Sequence, residues 1–204
     1  MAGRALAVGR CEQCKYVAVT ECNRKLLVRD ATEADMASVQ RIYAHYVLYG
    51  LATFEEVPPA TDELLTRRTA VLRLGLPYLV ATLEDAVVGY SYATSYRARP
   101  AYQHTVEDSV YVADGLGRRG IGAMLLGALI ERCESGPWRQ MLAVIGDSDN
   151  AASIALHRRF GFQPVGTLKS VGFKLGRWVD TVLMQRVLGE GGATVPRGVL
   201  TGRT

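Results

Sequence analysis

Glycines at 115, 117 and 120 lie in the run SVYVADGLGRRGIGAMLLGALI, Ser109 to Ile130, between an apolar strand pattern and an apolar helix pattern. A glycine turn leading into a helix leaves backbone N–H groups uncovered where the helix dipole favours an anion. The amides from Arg118 to Ala123, unobstructed at Gly120 and Gly122, make a nest for two linked phosphates, and Arg118 and Arg119 add positive charge. The same glycines fit the dinucleotide pattern G-x-G-x-x-G, but that fold needs an acidic residue about 20 positions further on. Gly136, Pro137, Trp138 and Arg139 occupy that window. A nucleoside-triphosphate loop ends Gly-Lys-Ser/Thr, whereas this turn ends Gly120-Ile121-Gly122. What remains is a diphosphate nest outside either nucleotide fold, or else a plain helix start with solvated arginines.

Two other groups of residues have spacings that suggest chemistry. Arg97 and Arg99 stand two apart after a strand pattern; facing the same way, they would fork onto a carboxylate or phosphinate, the alternative being two solvated side chains. Cys11, Cys14 and Cys22 make C-x-x-C with a third cysteine, a spacing from which thiolates can converge on one metal. No fourth ligand lies nearby, since the first histidine, His45, falls in a predicted helix, so a poorly ordered extension without metal is expected instead. Cys133, in a long apolar helix pattern, reads as a small core residue.

The elements that must position these groups follow from periodicity. The chain has 204 residues, 49% hydrophobic and 22% charged, enough for one domain with a sizeable core. Its net charge of +4 sits mostly in residues 1–25, which carry five Lys/Arg against two Glu, and the near-neutral remainder lacks the basic face of a nucleic-acid groove. No apolar run approaches the roughly 20 residues that span a bilayer, so a soluble, cytoplasmic protein without membrane contact is expected. LLVR at Leu26 predicts a strand. Thr32 then caps a helix with Met36, Val39, Ile42, Tyr43, Tyr46 and Val47 on its apolar face, and Thr61 caps a second with Leu64, Leu65, Val71 and Leu72. YLVATL and AVVGYSYATSY form a hairpin about Glu84 and Asp85, followed by the strand HTVEDSVYV, the glycine turn and a helix from about Gly120 to Glu134. MLAVI predicts a buried strand, NAASIALHRRF a helix closed by Gly161, and TVLMQRVL a last strand. The expected architecture is a mixed α/β sheet in one layered domain over 26–188, with an extension at 1–25 and a mobile tail at 189–204.

The arrangement resembles the GCN5-related N-acetyltransferases, whose loop Gln/Arg-x-x-Gly-x-Gly/Ala holds the pyrophosphate of coenzyme A. The matching run is Gly117-Arg118-Arg119-Gly120-Ile121-Gly122, with Gly in place of the family's first Gln or Arg. TFEE, YRARPAYQHTVEDSVYV, NAASIALHRRFGF and GFKLGRWVDTVLMQ resemble the branch acting on phosphinothricin and methionine sulfoximine. The resemblance implies a mixed, mostly antiparallel sheet, splayed at the cofactor site and flanked by helices. It implies acetyl-CoA as co-substrate, no metal, and a homodimer. The strand before the loop, Val110, Tyr111 and Val112, would pair with the pantetheine arm like an added strand. Ile121, Ala123, Asn150 and Ser153 complete the implied cofactor contacts, Asn150 reading equally as a helix cap.

Acetyl transfer to an amine needs that amine neutral, so a base must take its proton. Glu107, on the strand beside the cofactor stretch, is the candidate, since partial burial raises a carboxylate toward the working range; the alternative is an edge carboxylate in a salt bridge. Asp108 points to the opposite face of a regular strand and ranks behind it. His157, where many members carry Tyr, would protonate the departing thiolate or orient the substrate, and is otherwise a packed histidine. The branch uses the segment of Arg97 and Arg99 against acidic groups of the substrate, with Phe54, Glu55, Glu107, Tyr111 and the pair Lys174 and Arg177 about the pocket. The implied reaction is direct attack by the α-amine of a small amino acid or analogue, such as phosphinothricin, methionine sulfoximine or methionine sulfone, on acetyl-CoA. An aminoglycoside or protein N-terminus as acceptor, or a module that binds acetyl-CoA without turnover, are the competing readings.

Overall fold

The computed structural model describes residues 8–9, 16–19 and 25–196. Among these, nine strands form one sheet in the order β1-β2-β3-β4-β5-β6-β7-β9-β8, with four α-helices on its faces. The strands are β1 (Val8–Gly9), β2 (Tyr16–Val19), β3 (Lys25–Asp30), β4 (Tyr78–Leu83), β5 (Ala86–Ser95), β6 (Thr105–Val112), β7 (Gln140–Gly146), β8 (Gln163–Lys174) and β9 (Arg177–Val187). The helices are α1 (Met36–Tyr49), α2 (Thr61–Arg73), α3 (Ile121–Glu134) and α4 (Ala151–Arg159). Every strand pair is antiparallel except β6 with β7, which α3 connects.

The two faces of the sheet are read from β5. Gly89 lies against Ile121 and Leu125, and Ser91 donates to the Leu125 carbonyl, so its odd-numbered residues face α3. Its even-numbered residues include Tyr90, whose ring stacks on Tyr111, and Tyr111 in turn meets Tyr43 and Tyr46 of α1. The sheet is thus covered by α3 on one side and by α1 with α2 on the other, which explains why the first five residues of YLVATL are all buried rather than alternately so. Glu84 and Asp85 both take left-handed conformations, φ 49° and 68°, as a two-residue hairpin requires.

The helix starts differ in small ways from expectation. Thr32 caps a 3-10 turn, Glu33–Asp35, that leads into α1; its N–H and hydroxyl both donate to Asp35 Oδ2, at 2.7 and 2.8 Å. Arg29 closes on the same carboxylate with two hydrogen bonds and holds Asp35 down to about 2. Ala60, not Thr61, is the N-cap of α2, and Leu72 is 43% exposed rather than in the core, because the end of α2 projects past the sheet. Cys133 is fully buried on α3.

A strand escaped the sequence reading altogether. β8 is exposed over nearly its whole length, its register slips near Pro164/Gly166 and Leu168/Gly172, and Ser170 takes φ 52°. A strand without a buried face and broken by bulges has no period of two to detect. Of the proposed extension, Val8–Gly9 and Tyr16–Val19, pairing outward from β3, and Lys25, the first residue of β3, are described; Cys11, Cys14 and Cys22 lie outside the described residues. Of the proposed tail, residues 189–196 form turns after the buried Leu188, and 197–204 lie outside. Among the described residues no helix is long and apolar enough to cross a membrane.

Candidate active site

The site begins where two strands part. β6 and β7 pair in parallel from Thr105/Gln140 to Asp108/Ala143, and no further. Beyond that point Ser109–Val112 and Val144–Gly146 line opposite walls of a cleft of about 590 Å³. Gly146 sits at its end because a Cβ there would lie 2.2 Å from the Leu51 carbonyl oxygen.

Backbone groups on the β6 wall alternate in direction. Ala113 donates to the Val88 carbonyl on β5 at 2.9 Å, which by the antiparallel pattern turns the main-chain groups of Tyr111 toward β5 and those of Val110 and Val112 toward the cleft. The Val112 carbonyl is taken by the Tyr46 hydroxyl at 2.7 Å. The Val110 N–H and C=O are thus set to pair with an extended ligand, whereas Tyr111, expected to contribute backbone, lines the site through the body of its residue instead.

At the wide end of the cleft is the glycine turn. Gly115, Arg118 and Gly120 all have positive φ (72°, 60° and 81°), which coils the chain into α3. The first helical hydrogen bond runs from Met124 N to Gly120 O, so the amides of Ile121, Gly122 and Ala123 have no partner within the helix. A Cβ at Gly117 or Gly120 would meet nothing within 4 Å, leaving the backbone open to a ligand. Arg118 lines the cleft; Arg119 is exposed and does not. Asn150 caps α4 by accepting from Ser153 N at 3.2 Å, and Asn150 and Ser153 both line the wall opposite the turn.

At the narrow end stand His157 and Asp108. His157 Nε2 lies 3.0 Å from Asp108 Oδ2 and Nδ1 lies 2.8 Å from the Ser153 carbonyl, with the ring edge-on to Phe162. The two side chains are 5% and 1% exposed, yet both line the cleft. Burial pulls the imidazole down, but the Asp108 hydrogen bond and charge, with the Ser153 carbonyl, outweigh it and leave His157 raised. Glu107, the neighbouring residue, faces the other side of the sheet, paired across from Thr94. Among the described residues it has no hydrogen-bond or ion-pair partner, and burial, helped by the Asp108 charge, raises its carboxyl.

On Glu107's side lies a second cavity of about 280 Å³ between α2 and the tyrosines of the sheet. Tyr78, Tyr90 and Tyr92 stack within 7 to 9° or less of parallel, and Leu64, Val71, Leu74 and Thr94 complete the walls. Arg67 stands among them, bound to Glu55 at 2.6 Å and Glu63 at 2.5 Å. Glu55 also accepts from the Tyr43 hydroxyl at 2.9 Å; burial pushes its carboxyl up, but Arg67 and Tyr43 hold it below the ordinary value.

Other expected contacts do not converge. Arg97 is exposed and stacked on Tyr96, its guanidinium 5.0 Å from the ring centre, and Arg99, also exposed, leads into a 3-10 turn, Pro100–Tyr102. β5 ends at Ser95, so the strand alternation that would have aligned the two arginines is absent. Lys174 is buried as a brace, donating to the Thr53 and Tyr46 carbonyls at 2.8 and 3.3 Å, and Arg177 pairs with Asp147. Phe54 packs on Gly172 of β8, where a Cβ would come within 2.5 Å of its ring. Tyr46 is a cleft-lining residue that the sequence reading placed only in the core: its position in the apolar stripe of α1 concealed a hydroxyl that reaches the Val112 carbonyl.

Comparison with known proteins gives a consistent set of relatives. The family model for the acetyltransferase (GNAT) domain matches residues 28–183. Phosphinothricin N-acetyltransferase of Alcaligenes faecalis is 54% identical over 169 residues, 83% of this chain and 86% of that protein. The L-methionine sulfoximine/L-methionine sulfone acetyltransferase of Salmonella typhimurium is 37% identical over 165 residues, 81% of this chain and 96% of its own length. The crystal structure of a GNAT superfamily phosphinothricin acetyltransferase from Sinorhizobium meliloti in complex with AcCoA superposes with a TM-score of 0.82 at 47% identity, covering 86% of this chain and 96% of that one.

Proposed function

The chain belongs to the GNAT acetyltransferase family, and from that premise we propose that it acetylates the α-amine of a small amino acid or analogue of the phosphinothricin and methionine sulfoximine or sulfone kind, by direct attack within a ternary complex. It is an acetyl-CoA-dependent N-acetyltransferase. The observation that carries the acceptor reading is a second, tyrosine-lined cavity beside the cleft, with Glu107 on the sheet face of that cavity, across from Thr94 of its wall, and Asp108 lining the cleft.

The residues fit acetyl-CoA. Unpaired amides at the α3 start and the open backbone at Gly117 and Gly120 suit a diphosphate, and Arg118 adds charge despite the glycine at the motif's first position. Val110 offers a donor and an acceptor to an amide-bearing arm, as a neighbouring strand would. Bound there, the thioester supplies an activated acetyl carbonyl and a thiolate leaving group. Glu107 takes the proton of the attacking amine, and its raised carboxyl is suited to that task. The His157 end of the cleft returns a proton to sulfur. On the acceptor side, the tyrosine-lined cavity holds the side chain, with Glu55 held at its Arg67; Phe54, Arg97 and Arg99 would reach the acceptor only by moving from their present positions.

Two further parts of the reading concern the molecule as a whole. Val165, Leu168, Val171, Phe173 and Trp178 on β8 and β9 are 49 to 65% exposed, an apolar row suited to a second copy of the chain. A cytoplasmic homodimer is the assembly this reading requires.

Free thiol released from acetyl-CoA, measured in parallel with phosphinothricin, methionine sulfone, methionine sulfoximine and an aminoglycoside, tests the acceptor class. The amino-acid analogues are expected to drive turnover at least tenfold above the no-acceptor rate. Turnover with the aminoglycoside alone would move the assignment to a different amine, and a flat response to all would favour the non-catalytic module.

A further inference from the structure

Both ring nitrogens of His157 are occupied, and counting protons on them leads beyond the assignment of His157 as an acid. The Ser153 carbonyl, 2.8 Å from Nδ1, can only accept, so Nδ1 carries a hydrogen. If the imidazole were neutral, Nε2 would then present a lone pair to the carboxylate of Asp108 at 3.0 Å, in a pocket where the side chains are 5% and 1% exposed. Two acceptors cannot face each other there without a proton between them. The other Asp108 oxygen, Oδ1, is buried and has no hydrogen-bond partner, so the carboxylate has little else to stabilise it.

The location gives that proton a use. A ligand anchored by its phosphates at the α3 start and laid along Val110 runs toward the apex of the splay, and the apex is the last β6–β7 pair, Asp108/Ala143. We propose that Asp108 is a positioning residue that keeps His157 as an imidazolium, so that the pair holds one transferable proton at the sulfur end of the cleft. Counted from the neutral amine, the ammonium proton having gone to solvent, the N–C bond forms as one N–H proton passes to Glu107, and the acyl C–S bond breaks as the proton held between His157 Nε2 and Asp108 passes to sulfur. The pair is left transiently as neutral histidine facing a carboxylate, the unfavourable pairing described above, and that repulsion drives its reprotonation from solvent. This rests on the acetyltransfer reading above.

The groups facing the pair limit what else can set its charge. Glu107 on β6 is an anion on the opposite face, and Cys133 on α3 stays a thiol because burial, with the Asp108 charge, pushes it up to about 12. Arg159 on α4 lines the cleft as a fixed cation, and β7 contributes only Ala143, Val144, Ile145 and Gly146 to the lining.

Asp108→Asn separates proton from shape, because an asparagine amide can donate to the Nε2 lone pair of a neutral ring and so preserve both contacts of His157. In ¹⁵N-histidine NMR of the ligand-free protein at pH 8, we expect both His157 nitrogens protonated in the parent and Nε2 unprotonated in Asp108→Asn, with folding verified by the remaining spectrum. The alkaline limb of kcat should move down by about one pH unit or more in the variant, and kcat at pH 8 should fall at least tenfold with little change in KM for acetyl-CoA. An unprotonated Nε2 in the parent at pH 8, or superposable pH profiles for parent and variant, would overturn the proposal. Absence of thiol release with every acceptor would instead sink the acetyltransfer reading, while the NMR result would still decide the charge of the pair.

Discussion

Glu107 and Asp108 are adjacent carboxylates on β6 to which the proposed function gives different tasks, since neighbouring side chains on a strand point to opposite faces. Glu107 lies on the face of the sheet that carries the tyrosine-lined cavity, across from Thr94 of its wall, and among the described residues has no hydrogen-bond or ion-pair partner, whereas Asp108 lines the β6–β7 cleft against His157. If Glu107 is the base, as proposed, burial raises its carboxyl and leaves it protonated and idle at low pH, so kcat/KM should climb through a midpoint above the ordinary carboxylate value of about 4.3. Glu107→Gln should lower kcat by about 10²- to 10⁴-fold and abolish that acid limb; a variant keeping both rate and limb would assign the base elsewhere. Glu107 was legible in the sequence because the strand and glycine turn fix its place. Arg97 and Arg99 were less so, since their alignment presupposed a strand that ends before them.

At the scale of elements, the regular parts were legible and the irregular ones were not. α1, α3, α4 and the β4–β5 hairpin follow directly from apolar periodicity and turn residues, each having a buried face that enforces the pattern. β8 has none, and its bulges near Gly166 and Gly172 erase what alternation remains. The splay of β6 from β7 is a property of pairing between distant segments, visible in no local window, and reached the sequence reading only through resemblance. Two elements carry predictions. Asp35, held at about 2 by Arg29 and the Thr32 capping bonds against the opposing effect of burial, stabilises the start of α1 at every pH above its unfolded value near 3.9 and loses that contribution as pH falls through about 2. Asp35→Asn should therefore cost about 1 to 2 kcal/mol in urea unfolding at pH 7, with the gap to the parent closing toward pH 2. Gly146→Ala forces a Cβ into the Leu51 carbonyl and must displace either the loop or the end of β7. It should cost about 1 to 3 kcal/mol and raise KM for acetyl-CoA more than KM for the acceptor.

At the scale of the molecule, the proposed function makes the sheet a partition: acetyl-CoA would enter the cleft where β6 parts from β7, the acceptor would come from the side of α1 and α2, and the two would meet at β6. The exposed apolar row on β8 and β9 gives the same sheet an outer margin to bury. Light scattering should return twice the 22.2 kDa chain mass, and Trp178→Glu together with Phe173→Lys should return the monomer; a monomeric parent would remove the second copy from the account. A partition also implies that acetyl crosses directly from sulfur to nitrogen, with no stop on the protein. Mixing the enzyme with acetyl-labelled acetyl-CoA, first without and then with methionine sulfone or phosphinothricin, and following label on protein and on product, tests this most directly. The account predicts no label on the denatured protein at any stage and one N-acetylated acceptor for every thiol released. Label retained on the protein before acceptor is added, or thiol released without N-acetylated product, would contradict it.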